Sequence, residues 1–174
     1  ATADHEGHTP LWRVELGRTL FFDPRLSASG IMSCSTCHAP HQSWGDRRAL
    51  AEGAAGKPLE RRTPTLLEIG GCELLMWDGR FGSLEEQALA PIQASDEMAM
   101  PIPRLIALLG AASEYPPLFE LAYPGEGISA AGIAGALAAF ERTIRAGEAP
   151  FDRWVRGEEA AISETAKRGF ALFD

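Results

Sequence analysis

The stretch SCSTCHAPH at residues 33–41 sets Cys34, Cys37, His38 and His41 within one short segment. Such residues serve three chemistries: a zinc knuckle, a redox dithiol or a covalent haem. A structural zinc ion needs four ligands, usually from two close pairs. The remaining ligands would have to come from His41, Cys72, His5 or His8, none of which forms a second Cys-x-x-Cys knuckle. A thioredoxin-like dithiol wants a βαβ context, and no sustained strand alternation is present. The histidine directly after the second cysteine favours c-type haem attachment. Both thiols would form thioethers to the porphyrin edge, and the short turn between them would hold His38 under the iron as its ligand. Attached c-type haem is matured outside the bacterial cytoplasm, so the periplasm follows by association.

These residues need a scaffold. At 174 residues the length fits one domain, long enough to bury a sizeable core without a staple. The net charge of −8 argues against nucleic acid, where basic groups supply the affinity. No apolar run approaches the ~20 residues of a membrane span. Cys72 is left over once Cys34 and Cys37 are used, and is expected as a small buried residue without chemistry.

Helical signals dominate. Thr9-Pro10 reads as a cap followed by proline at the first helical position, opening a helix towards Phe22 that Asp23-Pro24 stops. Ser83 and Glu86 form a capping-box pattern that opens a helix to about Gln93. Ser129 begins the longest periodic run, with Ile133, Leu137, Phe140 and Ile144 on one face. Ser163 begins another, with Ala166, Phe170 and Phe173 aligned. Residues 39–64, 94–103 and 110–127, rich in Gly, Pro and charge, read as long irregular segments. Loops of that length are usually functional or wrapped around something, and a large apolar cofactor would give them something to wrap. The fold class is therefore mainly α: a cytochrome c-like helical domain with long loops around one covalent haem.

A family resemblance reaches well beyond the haem motif. ELGRTLFFDPRLSASGIMSCSTCH (15–38), RRTPTLLEIGG (61–71), MWDGRFGSLEEQALAPIQ (76–93) and DEM (96–98) resemble, in order, the N-terminal half of bacterial di-haem cytochrome c peroxidases and their MauG-type relatives. APFDRWVRGE (149–158) and ISETAKRGFALF (162–173) resemble the segment leading to the family's second haem motif. The resemblance implies a peroxidatic haem domain over 1–160 and the start of a second haem domain at 161–174, which is missing or truncated. Only one CxxCH is present, so the chain reads as the N-terminal half of a longer protein rather than as a one-haem derivative.

The same resemblance implies roles for single residues. Glu97 would be the acid–base group for peroxide, with Gln87 orienting it and Pro91 giving apolar surface. Gln87 and Pro91, four apart, share one helical face. Trp77 would relay electrons between two haems, conditional on the second being present; on sequence grounds alone such a tryptophan is more often core. Many family members carry a histidine in the loop corresponding to 45–63 that ligates the resting iron. That loop here has none, and His41 should lie on the proximal side, so the resemblance is closer to the open-site MauG type. Glu68 stands where the family commonly has an asparagine serving an inter-domain calcium. A carboxylate can also bind calcium, with its other ligands coming from outside this chain.

Plainer readings apply to the rest. Trp12, Trp44 and Trp154 are read as packing residues, and Met76, Met98 and Met100 as gap-fillers rather than iron ligands. One or two of Arg47, Arg48, Arg61, Arg62 and Arg80 could pair with haem propionates. The functional expectation is reduction of hydrogen peroxide with electrons from a second haem, a donor cytochrome or a cupredoxin. The alternatives are MauG-type, peroxide-driven oxidation of a partner protein, and a mono-haem electron-transfer cytochrome.

Overall fold

The computed structural model describes residues 10–173. The described residues form eight α-helices: α1 Leu11–Phe21, α2 Cys34–Cys37, α3 Leu84–Gln93, α4 Ile102–Ala111, α5 Tyr115–Ala122, α6 Ala130–Glu141, α7 Pro150–Val155 and α8 Glu164–Phe173. Among the described residues the only β pairing is three isolated antiparallel bridges, Ala39 with Gly45, Glu52 with Pro58 and Leu75 with Phe81. The fold is mainly helical, as the periodicity and turn chemistry indicate. The chain divides into two compact units, 1–144 and 145–174.

In the first unit the core forms where α1 crosses α6. Leu16, Leu20 and Phe21 of α1 and Ile133, Ala136 and Leu137 of α6 are buried. Gly17 makes that crossing possible. A Cβ built on it would stand 1.8 Å from the Ala136 carbonyl oxygen and 2.9 Å from the Phe140 Cβ. The helices thus meet backbone to backbone at a distance only a glycine hydrogen allows. Ile144 is also buried, although it lies beyond the end of α6.

Most caps form as the sequence indicates. Ser83 accepts a hydrogen bond from the Glu86 N–H at 3.3 Å, and Ser129 accepts from the Gly132 N–H at 3.0 Å. Thr9, His5 and His8 lie outside the described residues. The stop after α1 is built by Asp23, which accepts from the Arg25 N–H at 2.8 Å. Arg25 binds Asp23 and Glu114, each at 2.7 Å, and the Tyr115 hydroxyl donates to Asp23. Burial alone would raise the Asp23 carboxyl, but the bonds from Arg25 and Tyr115 outweigh it and hold the group below its usual range. This network, buried at Asp23 and Tyr115, half-buried at Arg25 and exposed at Glu114, ties the exit of α1 to the start of α5.

Two expectations are corrected. Residues 110–127 are not wholly irregular, because α5 occupies their middle. Its prolines, Pro116 and Pro117, sit in the first turn, where a missing N–H costs nothing. They start a helix where their composition reads as a break. Cys72 is exposed, not buried. It follows the short turn Ile69–Gly71, whose glycines are also at the surface.

The second unit is small. Phe151 and Trp154 of α7 and Phe170 of α8 form an aromatic trio with ring centroids 5.2–5.5 Å apart. Lys167 reaches Glu159 at 3.0 Å and Glu164 at 2.8 Å. Phe173, aligned with Phe170 in the sequence pattern, is exposed.

Gly17→Ala is expected to force the α1–α6 crossing apart. Overpacking costs about 1–3 kcal/mol, and each kcal/mol lowers Tm by about 2–4 °C at this size. Thermal unfolding followed by circular dichroism checks it. An unchanged Tm would mean that the crossing is looser than described.

Candidate active site

One cleft, open to solvent at its mouth, lies in the first unit. Cys34, Cys37, His38, Gln87, Pro91 and Glu97, widely separated in sequence, all line it. Its walls also include Met32, Leu59, Leu66 and Leu137, so the lining is largely apolar.

The CxxCH wall comes from α2 and its exit. Ser33 caps this one-turn helix, and the Ser33 N–H donates to the Thr36 hydroxyl at 2.9 Å. His38 follows directly, with Nδ1 3.1 Å from the Trp44 carbonyl oxygen. Donation to that carbonyl places the proton on Nδ1 and the lone pair on Nε2, the tautomer that a metal takes. Burial pushes the His38 pKa down, so the ring is neutral and ligand-competent. The carbonyl is held from both sides of the chain. Ser43 and Trp44 both take left-handed backbone angles, φ 56° and 57°. The Trp44 ring packs against Phe21 at 5.8 Å and Phe140 at 5.9 Å.

The two thiols are the wrong kind for redox exchange. Burial, reinforced by Glu141, pushes Cys34 up to about 12, and burial raises Cys37 as well. A reactive dithiol needs a lowered pKa. Nor do zinc ligands gather: among the described residues no three His, Cys, Asp or Glu side chains come together as a metal site. His41 is exposed, does not line the cavity, and lies beside Gln42 at 3.3 Å. A pair of protonated thiols beside a neutral, anchored imidazole in an apolar cleft fits a covalently held haem.

The facing wall comes from α3 and the turn after it. Gln87 and Pro91 share one helical face, and the helix runs through Pro91 to Gln93 rather than ending there. The Gln87 amide Nε2 donates to the Met76 sulfur at 3.4 Å. Glu97 sits on the following turn, whose Met98 and Ala99 N–H groups return to Pro91 and Ala94. Burial raises the Glu97 carboxyl above its usual range; Asp96 adds to this and Arg80 opposes it. The 45–63 loop, which carries Glu52, Gly53 and Leu59 of the lining, clamps that turn. The Ala54 N–H donates to the Asp96 carbonyl at 2.8 Å, and a Cβ on Gly53 would lie 2.0 Å from the same oxygen.

The remaining named residues lie elsewhere. Trp77 is 59 % exposed, outside the cavity lining, and its indole N–H donates to the Arg62 carbonyl at 2.9 Å. Glu68 has a left-handed backbone and its N–H donates to the Ile144 carbonyl at 2.9 Å. It belongs to no group of three acidic, His or Cys side chains among the described residues, so these residues do not by themselves assemble a calcium site. Met98 and Met100 are buried in the core, and Met98 also reaches the cavity. Arg48 pairs with Glu52, while Arg61 and Arg80 pair with Asp78 at 3.3 and 2.8 Å. Glu141 is the cavity residue that sequence reasoning missed. The available signal was its place four residues after Leu137, on the apolar face of α6.

Gly53→Ala is expected to displace the turn bearing Glu97 while leaving α1 and α6 intact. Amide exchange should speed up at Met98 and Ala99 without matching change at Leu137. Unchanged protection at those two amides would show that the loop does not clamp the turn.

Comparisons with known proteins follow this geometry. Residues 12–160 match the family described as di-haem cytochrome c peroxidase. The chain is 50 % identical over 164 residues to the methylamine utilization protein MauG of Methylophilus methylotrophus, covering 94 % of this chain and 49 % of that protein. It is 37 % identical to the cytochrome c551 peroxidase of Pseudomonas aeruginosa, covering 91 % and 46 %. Among solved structures, a MauG-like protein associated with microbial copper homeostasis superposes with a TM-score of 0.85 at 31 % identity, covering 98 % of this chain and 51 % of that one. The chain spans about half the length of these relatives. On this match, and on the order of its motifs around a single cavity, the chain belongs to the di-haem cytochrome c peroxidase family.

Proposed function

We propose that this chain is the peroxide-reacting haem domain of a periplasmic di-haem enzyme. The observation that carries the reading is that Cys34, Cys37, His38, Gln87, Pro91 and Glu97 line one cavity. Cys34 and Cys37 would hold the haem by thioethers and His38 would ligate its iron, and the bound haem would supply the redox-active iron for peroxide reduction. Reduction then consumes one peroxide, two electrons and two protons and releases two waters. The electrons come from a second haem, fed by a donor cytochrome or cupredoxin.

Glu97 does the proton work. As a carboxylate it takes the proton from the inner peroxide oxygen and returns it to the outer one, which leaves as water. Gln87, its amide fixed by Met76, orients the peroxide by hydrogen bonding. Pro91 presents ring carbon and no N–H, so it offers peroxide no competing donor. Trp77, outside the cavity, serves as the relay towards the second haem. Calcium at Glu68 would need ligands from beyond this chain.

A second reading, peroxide-driven oxidation of a partner protein as in the MauG type, draws on the 50 % identity to MauG and on a 45–63 loop without histidine. A stable modification on a partner protein after peroxide treatment would separate it from simple peroxide reduction.

Haem should survive acid–acetone extraction, and the intact mass should exceed the polypeptide by one haem for this CxxCH. An apoprotein carrying stoichiometric zinc would overturn the reading.

Glu97→Gln keeps size and hydrogen-bonding reach but cannot accept the proton. Its peroxide reaction should slow by about 10²–10⁴-fold, with haem content and cyanide binding to the ferric protein unchanged. The pH profile supplies a second check. Because the Glu97 pKa is raised, the carboxylate is lost, and the rate falls, as pH drops through a value above the ordinary carboxylate range. That limb should vanish in Glu97→Gln. A variant rate within about threefold of the parent, well inside that range, would make Glu97 a bystander.

A further inference from the structure

Glu141 has no part in the reaction as proposed, yet it is the most isolated charge-bearing group in the cavity. It is 6 % exposed and lines the cavity at the end of the buried helix α6. Its Oε2 is buried with no hydrogen-bond partner. A buried carboxylate without a hydrogen-bond partner is costly, and its sequence neighbour Arg142 offsets this only in part, through its charge. Arg142 turns to Glu85 and binds it in a fork at 2.7 and 3.0 Å.

The other elements packed on α6 offer no cation. From α3 the charged group that acts on Glu141 is Glu85, of like sign. From α2 it is the Cys34 thiol, which thioether formation would remove from titration. α1 turns Leu16, Gly17, Leu20 and Phe21 inward. Its charged groups are engaged elsewhere, Arg18 with Glu15 at 3.0 Å and the Arg13 guanidinium on the Ala122 carbonyl at 3.1 Å. Apart from the charge of Arg142, which acts on Glu141 without bonding its Oε2, the lining gives this carboxylate no cation, so it is exposed to the charge of whatever the cavity holds.

We infer that Glu141 is a redox-linked proton site: it takes up one proton from solvent when one electron enters the haem of this cavity, and releases it when the electron leaves. The inference rests on the reading that the cavity holds haem. Ferric haem carries one more positive charge than ferrous haem, and in a low-dielectric cavity that charge favours the Glu141 carboxylate. An electron from a one-electron donor cancels it, and the carboxylate becomes a neutral carboxyl. Burial already pushes Glu141 up to about 8, so the exchange falls in a mildly alkaline range. Glu97, a half-buried carboxyl of the lining, has Asp96 and Arg80 as its charged neighbours instead.

The test is a potentiometric titration of the haem attached through Cys34 and Cys37, on the haem-loaded protein at pH values on both sides of 8. The midpoint potential of the parent should fall with rising pH there, with a slope approaching ~59 mV per pH unit, the one-electron equivalent of a tenfold change. Glu141→Gln should stay near the parent's low-pH plateau with no slope, while Glu97→Gln should keep the slope. A flat parent, or a slope that survives in Glu141→Gln, overturns the inference. Should Glu141→Gln fail to load haem, reduced-minus-oxidised infrared spectra of the Glu97→Gln protein decide instead. Reduction must generate a protonated-carboxyl C=O band at the expense of a carboxylate, and its absence overturns the inference. A parent protein that binds no haem gives no potential at all, and that outcome sinks the haem reading rather than the role of Glu141.

Discussion

The bond between His38 Nδ1 and the Trp44 carbonyl is the constraint on which the rest of the site depends. It sets the tautomer of the imidazole, and the backbone around it is held in a left-handed conformation that costs about 1–2 kcal/mol per residue. Packing offsets that cost. The Trp44 ring stacks edge-on between Phe21 and Phe140, which themselves lie 5.2 Å apart where α1 crosses α6. Each such pair contributes about 0.5–1.5 kcal/mol beyond its buried area. The helix crossing closed by Gly17 is therefore also what aims the histidine. Core stability and site geometry are one structure here, and loosening the first would release the second.

Electrostatics organises the opposite wall. In a chain of net charge −8 most carboxylates are at the surface, and several are matched by arginine. Glu97 and Glu141 instead line the cavity, and burial raises both. Their positions differ in kind. Glu97 rides on a short turn held by hydrogen bonds and by the close approach of Gly53, so its setting depends on loop contacts. Glu141 ends a long buried helix, so its setting depends on the core.

The second unit follows a different logic. Its helices are short, and its apolar content is concentrated in the trio Phe151, Trp154 and Phe170. Exposed ion pairs such as Lys167 with Glu159 add little, typically under about 1 kcal/mol. Exposed Val155, Leu172 and Phe173 leave this small unit with apolar surface that it does not bury itself.

Much of this was legible in the sequence, because the chemistry is local. CxxCH is a covalent constraint written in five residues, the cap at Ser83 needs only Glu86, and the run from Ile133 to Phe140 needs only helical period. What the sequence did not decide concerns contacts between distant segments. Prolines at 116 and 117 read as breakers until the chain places them in a first turn. Cys72 read as buried on residue type, but burial depends on what packs above it, and nothing does. Glu141 read as one more acidic residue in an acidic chain. Only the tertiary structure turns Arg142 to Glu85, faces α6 with the apolar side of α1, and leaves a carboxylate oxygen in the cavity without a partner. A motif is determined along the chain, whereas the protonation of a buried acid is determined by what the fold brings, or fails to bring, within reach of it.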